Sequence, residues 1–474
     1  MSTTTTSHHR TKKHGKHHQF TTTRKVLPSP PSNIRMKMNT SIQPPNEGWK
    51  VLHVSGTPQE RGFMHGFLLH DELAKMMERF PFIVNQELLF SYKKYLSICR
   101  RTISPIVKRD YPEFYQEIAA VVQGAHYGGL DLEVDTLIAW NALCSMYEYL
   151  HNHSSKRTKT GHCSAFIATG KATANGEIVM GHTTHTGLVS GHFFNIVLYV
   201  TPEKGIPFCM QTAAGCIASG TDWFITRAGI VGCETTISEI NYRPDFGHGN
   251  APYFCRIRHA MQYGKTLDDY ANIMTTHNAG DYASSWLFGD VNSQEIMLCE
   301  LGLKITNVQR TKDGIYYGMN SAISPELRIQ ETNDHEFFDA KTSSGGRNQR
   351  FQELLYKKYY GKLTTKNAQK ILADHYNMVT KTRKAGASTI CVHTYDDASY
   401  YASNYPHGCT DGKVLDASMA RNMKFIGRFG PCCGHGFDAV HFLEHHPKYK
   451  KEWERALESY PVRKWTTLSC LTLH

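Results

Sequence analysis

Leu69, Leu73, Met76, Met77 and Phe80 fall three and four residues apart, the spacing that lines one face of a helix, and Pro81 predicts its stop. Phe114, Ile118, Val121 and Val122 repeat the pattern, with Pro112 near the predicted start and Gly124 just past the predicted end. Leu137, Trp140, Leu143 and Cys144 predict a third helical stretch running toward Tyr149. Residues 49–150 therefore read as a mostly helical unit, in which VLHVSG (51–56) is a candidate strand.

After a polar, basic connector, HNHSSKRTKT (151–160), which reads as exposed and cleavable, the pattern changes. CSAFIATG (163–170), EIVMGHTTH (177–185), FFNIVLYV (193–200) and GIVGCETTI (229–237) are short apolar runs separated by glycines. Asn175-Gly176 between the first two predicts a hairpin. Helical windows at about 254–275 are followed by the strands SSWLFGDV (284–291), EIMLCELG (295–302) and GIYYGMN (314–320). Two helices at about 346–360 and 364–376 and a last strand pair near 388–403 complete the pattern. Near-continuous apolar strands require cover on both faces. An α+β fold with sheet packed on sheet and helices outside meets that requirement.

Composition changes this picture little. At 474 residues, 40% of them hydrophobic, the chain can bury the core of one large or two modest domains. No apolar run reaches the roughly 18 residues that a membrane-spanning helix needs. The formal charge of +11 suggests a nucleic-acid binder, but residues 1–48 alone carry +7 of it. That segment is rich in Thr, Ser, His and Pro with little to bury, so it is expected to be a disordered tail. The remainder shows no helix-turn-helix, zinc-finger or RNA-binding signature, and no nucleic-acid partner is expected. The tail also has no apolar core of a secretory signal, so a cytoplasmic location is the default expectation over a lysosomal or secreted one.

Thirteen cysteines are too few for a disulfide scaffold, and their odd number argues the same way. Cys99, Cys144, Cys209, Cys216, Cys233, Cys255, Cys299 and Cys391 lie in apolar runs and read as buried thiols. Cys432 and Cys433 suggest zinc with His435 and His441. Adjacent cysteines fit one tetrahedral ion poorly, however, and no Cys-x-x-Cys pair exists, so neither metal nor cofactor is expected.

Cys163 stands apart, because it opens the β region directly after the basic connector. Its plainer reading is an ordinary strand cysteine. The sharper one is a new N-terminus: cleavage of His162–Cys163 would place an α-amine, of pKa about 8, beside a nucleophilic sulfur. His182 and His185 follow on the next strand. A gap-free hairpin would pair Cys163 with a residue near 188, so a bulge at a glycine is needed to bring His182 close. Asn320 and Arg347 offer an amide donor and a guanidinium, the groups that an oxyanion or a substrate carboxylate or phosphate requires.

Taken in order, TGHCSAFIATGKATANGEIVMGHTTH, ASGTDWFITRAGIVGCETTI, HNAGDYASSWLFGD, YGMNSAISPELR and GRFGPCCGHGFDA resemble the phospholipase B-like proteins and the isopenicillin N acyltransferase-like autoproteolytic cysteine hydrolases. NEGWKVLHVSGTPQERGFMHGFLL (46–69) resembles the start of the same pattern, so the resemblance runs from about 46 to 465. It implies the four-layer αββα sandwich of an N-terminal nucleophile hydrolase. It divides the chain into a tail (1–48), a helical pro-segment (49–162) and a catalytic core (163–474), with the cleaved fragments staying associated.

The resemblance implies Cys163 as nucleophile, with His182, Asn320, Arg347 and Thr236 as further catalytic positions. Asp222 and Trp286 match recurrent pocket positions. Thr183 and His185 stand where relatives carry an asparagine and a tryptophan, which alters the pocket beside the nucleophile. The implied activity is self-processing followed by hydrolysis of a linear amide or a phospholipid acyl ester. A small-molecule or lipid acyl substrate is therefore expected. The alternative is a non-catalytic binding or structural protein that retains the fold.

Overall fold

The computed structural model describes residues 40–151, 163–396 and 405–471. The tail residues 1–39 and the connector residues 152–162 lie outside this range. Within it the chain is mixed α+β. A nine-stranded sheet runs in the order Ser41–Ile42, Lys50–Gly56, Ile196–Pro202, Phe208–Thr212, Trp223–Thr226, Ile230–Thr236, Ser284–Asp290, Glu295–Leu301 and Thr306–Thr311. Its neighbours are antiparallel except Lys50–Gly56, which lies parallel to Ile196–Pro202. A six-stranded antiparallel sheet runs Gly314–Gly318, Ser164–Gly170, Gly176–Thr183, Asp411–Asp416, Lys424–Phe429 and Thr466–Ser469. A strand is thus present ahead of residue 49, where Ser41 pairs with His53.

The period-two alternation of the Ser164–Gly170 strand explains how its sheet is covered. Ala165 and Ile167 join a core shared with Trp223, Cys233, Leu287 and Phe288 of the larger sheet. Phe166 and Ala168 instead meet Phe351, Leu354, Ile371 and Leu372 from the helical segments Ser343–Lys358 and Thr365–Leu372. Each large apolar side chain among these, fully buried, contributes about 1.5–3 kcal/mol.

The N-terminal helices share the first of these cores and are not a separate body: Phe80, Ile118, Val121 and Leu137 belong to it. Two expectations about their ends are corrected. Pro81 lies inside the helix His70–Phe82, which runs on into a π-helical turn, Ile83–Glu87. A proline removes only its own N–H, and the Ile83 N–H beyond it bonds the Arg79 and Phe80 carbonyls. Gly124 lies inside the helix Pro112–Tyr127. It lets the helix Pro58–Leu68 approach, since a Cβ there would stand 2.0 Å from the Phe63 carbonyl oxygen. A buried ion pair fastens the two parts of the chain: Glu117, paired with Arg61 at 2.6 Å, also binds Arg258 at 2.8 Å.

The strand pair expected near 388–403 is absent from its described part, 388–396. Thr389 Oγ1 bonds the Gly386 and Cys391 carbonyls and Cys391 N–H bonds the Asp374 carbonyl, so these groups are paired without a strand, and an isolated bridge joins His393 to Gly408. The final strands lie later, and Asp411–Asp416 escaped notice because buried Asp411 and Lys413 break its apolar run. Cys209, expected to be a free thiol, is disulfide-bonded to Cys470. The bond ties the Phe208–Thr212 strand of the larger sheet to the residue after the last strand of the smaller.

Candidate active site

Register places the sulfur. The hairpin after Cys163 does not turn on Asn175-Gly176 alone. Gly170 pairs with Gly176 across a five-residue loop, and the register shifts between Ala168 and Gly170. Both glycines have positive φ, 65° and 78°. Ser164 then faces Thr183 and Ala165 faces His182, in a register that this glycine-centred irregularity sets. Alternation puts Cys163 and His182 on the face toward the larger sheet and Ser164 on the opposite face.

Cys163 lies at the wall of a cavity of about 140 Å³, with Asp222, Thr236, Tyr282, Thr184, His185 and Glu87 among its lining residues. Its sulfur accepts a hydrogen bond from the His185 main-chain N–H, and burial pushes the thiol up to about 12. Among the described residues no histidine ring nitrogen hydrogen-bonds this sulfur. His182 Nε2 meets the Glu234 carbonyl at 2.9 Å, and burial drives its pKa well down, so the ring is neutral. His185 is likewise held neutral by burial, against the opposing pull of the Cys409 sulfur beside it.

Behind Cys163 sits a buried polar relay. Arg347, on the helix Ser343–Phe351, donates from Nη1 to the Cys163 carbonyl oxygen at 2.7 Å, to Ser164 Oγ at 3.2 Å and to Asn320 Oδ1 at 3.0 Å. Asn320 Nδ2 in turn donates to the Thr236 carbonyl at 2.8 Å. A carbonyl on one side and a guanidinium on the other fix the amide orientation. Asn320 and Arg347 are fully buried and stand behind the cavity wall, not in its lining.

On the cavity side, Thr236 Oγ1 donates to the Tyr282 hydroxyl at 3.0 Å. That hydroxyl lies 2.7 Å from Asp222 Oδ2 and 3.0 Å from Glu234 Oε2. A phenol has one proton to give, so one carboxyl of this pair must keep its own. Burial and the neighbouring Asp222 push Glu234 well up, and burial raises Asp222 to about 6. Glu234 is therefore the protonated partner at neutral pH and Asp222 the anion. Asp222 and Asn320 both have positive φ, 55° and 75°, conformations that Asp and Asn tolerate better than most residues.

The other expected residues are placed as follows. Thr183 Oγ1 bonds the Asp411 carbonyl at 2.8 Å and lies 3.0 Å from Cys409 Sγ, off the cavity. Trp286 is buried in the larger sheet, stacked on Phe288. Three site residues escaped sequence reading. Tyr282 and Glu234 lie in apolar or hydroxyl-rich runs with no spacing signal. Glu87 comes from the π-helical turn, accepts from the Ser190 N–H at 3.3 Å and is raised to about 7 by burial.

No family model matches the chain. It is 23% identical over 262 residues to an uncharacterized protein of Archaeoglobus fulgidus, a match covering 52% of this chain. The match spans 42% of that relative's length. Among solved structures, a point mutant of conjugated bile acid hydrolase from Clostridium perfringens matches with a TM-score of 0.38 and 7% identity, over 56% of this chain and 89% of that one. A second variant of the same hydrolase matches with a TM-score of 0.29 and 7% identity, over 57% of this chain and 82% of that one. Likeness of this degree carries no functional argument. Among the described residues no helix is long and apolar enough to cross a membrane.

Proposed function

We propose that this chain is a self-processing acyl hydrolase with an αββα core, in which cleavage of His162–Cys163 frees Cys163 as an N-terminal nucleophile. The observation that carries the reading is the Cys163 thiol at the cavity wall, with the Arg347–Asn320–Thr236 relay behind it. In the uncut chain the thiol is protonated at neutral pH and no described histidine nitrogen reaches it, which suits an inactive precursor. Cleavage supplies the missing base, since a free α-amine with pKa about 8 can take the thiol proton.

The sulfur then adds to the acyl carbonyl, the leaving amine takes the proton, and water releases the acyl group from the thioester. Asn320 holds the Thr236 carbonyl, and Thr236 lines the cavity, where a nearby main-chain N–H, or the Thr236 hydroxyl once turned away from Tyr282, would stabilise the tetrahedral oxyanion by about 3–4 kcal/mol per donor. Arg347 is a positioning residue for the Cys163 main chain. Its burial leaves it no route to an anionic substrate group.

The lining favours an amide over a phospholipid ester. Glu87, Glu148 and Asp222 face the cavity, with no lysine or arginine among the described lining residues. A phosphate would meet carboxylates there, whereas a neutral or amine-bearing amide would not. The test is a panel of N-acyl amides and lysophospholipids offered to the processed protein and to Cys163→Ala. Amine release by the first and none by the second supports the reading. A pocket that binds acyl amides without turnover would make the chain a binding protein instead.

A further inference from the structure

A second group of reactive side chains lies beyond His185, on the far side of the cavity wall. The ligand atoms of His375, Cys391, His393 and Cys433 all fall within 4.8 Å of one another. His393 Nε2 stands 3.4 Å from both Cys391 Sγ and Cys433 Sγ. A tetrahedral zinc with Zn–S of about 2.3 Å and Zn–N of about 2.0 Å has N···S edges of about 3.5 Å, so these two edges already have the required length. His393 Nδ1 lies 3.0 Å from Asp396 Oδ2. A carboxylate there holds the proton on Nδ1 and turns the Nε2 lone pair inward, the arrangement that orients metal-bound histidines. His375 Nε2 is buried with no hydrogen-bond partner.

We propose that His375, Cys391, His393 and Cys433 bind one structural zinc ion. Two sulfurs and two imidazoles suit zinc over the hard cations, and four protein ligands leave no open position for substrate or water. Binding displaces to solvent whatever protons the two sulfurs and two imidazoles share. His435 and His441, the histidines that the sequence sets beside Cys433, are not in the ligand set. The residues that are come from three separate loops, which is why no spacing motif announced them.

The loops the ion would join bear on the cavity. Cys391 N–H bonds the Asp374 carbonyl, and Asp374 is itself held by Arg350 at 2.8 and 2.7 Å, which brings His375 to Cys391. Cys409 N–H bonds the Val392 carbonyl, and the strand His407–Cys409 pairs with His185–Gly187. His185 and His407 line the cavity. The ion would therefore brace this wall from outside. Zinc binding by these four side chains does not depend on hydrolase activity at Cys163.

Elemental analysis of the reduced, purified full chain should find one zinc per chain. After the metal is stripped, the same chain should take up one Co²⁺ and show the visible bands of a tetrahedral cobalt–thiolate centre. Cys391→Ser and His393→Ala should each lose most of the bound metal, while His441→Ala keeps it. The cobalt spectrum is read on the unaltered chain, so poor folding of a variant does not blunt the test. Absence of both zinc and a cobalt–thiolate spectrum overturns the proposal, as does full zinc retention in the Cys391→Ser, His393→Ala double variant.

Discussion

The Arg347 guanidinium and the Cys163 carbonyl oxygen meet at 2.7 Å, although 184 residues separate them in the chain. The same Nη1 reaches Ser164 and Asn320, so one buried cation fixes the start of the strand and the amide beside it. Removing it leaves a carbonyl and an amide oxygen buried without a donor, at about 1–3 kcal/mol each. Arg347→Ala should therefore lower both the unfolding midpoint and kcat/KM, the latter by roughly 10²-fold or more. Arg347→Lys should recover part of the stability and little of the rate, because an ammonium lacks the planar fork. Paired thermal unfolding and kinetics on the two variants check this.

The Asp222–Tyr282–Glu234 cluster predicts a pH dependence of known sign. Burial raises Asp222 from an ordinary value near 4 to about 6. Between those limits the folded chain holds a proton that the unfolded chain has lost, so this group stabilises fully below the lower limit. Its contribution is lost as pH rises through the upper one. Asp222→Asn removes that dependence. Over this window the variant's stability should decline less with rising pH than the parent's, by roughly 2–3 kcal/mol in total. Denaturant titrations across this pH window give the difference, and parallel curves would refute the assignment.

The Cys209–Cys470 bond joins residues 261 apart in the chain and ties one sheet to the other. Cys470→Ser should cost about 2–4 kcal/mol of stability. Reductant should destabilise the parent by a similar amount and leave the variant unchanged, as urea unfolding with and without reductant would show.

Much of this arrangement was legible in the chain itself. Apolar runs located the strands carrying Cys233 and Trp286 and the one that Cys163 leads into, and the loop-to-strand position of Cys163 singled it out before any geometry. What escaped was what tertiary contact alone decides. Gly124 resembles a helix end, but it is the place where a second helix needs room. Asp411 and Lys413 look too polar for a central strand, yet they form a buried pair at 2.7 Å. Cys391 and Cys433 lie far apart in the chain and meet only because loops fold back between them. Local spacing carries no trace of such encounters.

The proposed function turns on cleavage of His162–Cys163, with Cys163 as the new N-terminus. Intact mass with N-terminal sequencing of the purified protein tests it most directly. Fragments of about 18 and 35 kDa from the 53.7 kDa chain are expected, the larger beginning at Cys163. They should co-elute under native conditions, because Lys50–Gly56 is a strand within the nine-stranded sheet. They should separate in denaturant without reductant, because both halves of the disulfide lie in the larger fragment. A chain that stays whole at 53.7 kDa, with activity unchanged in Cys163→Ala, would contradict the proposal.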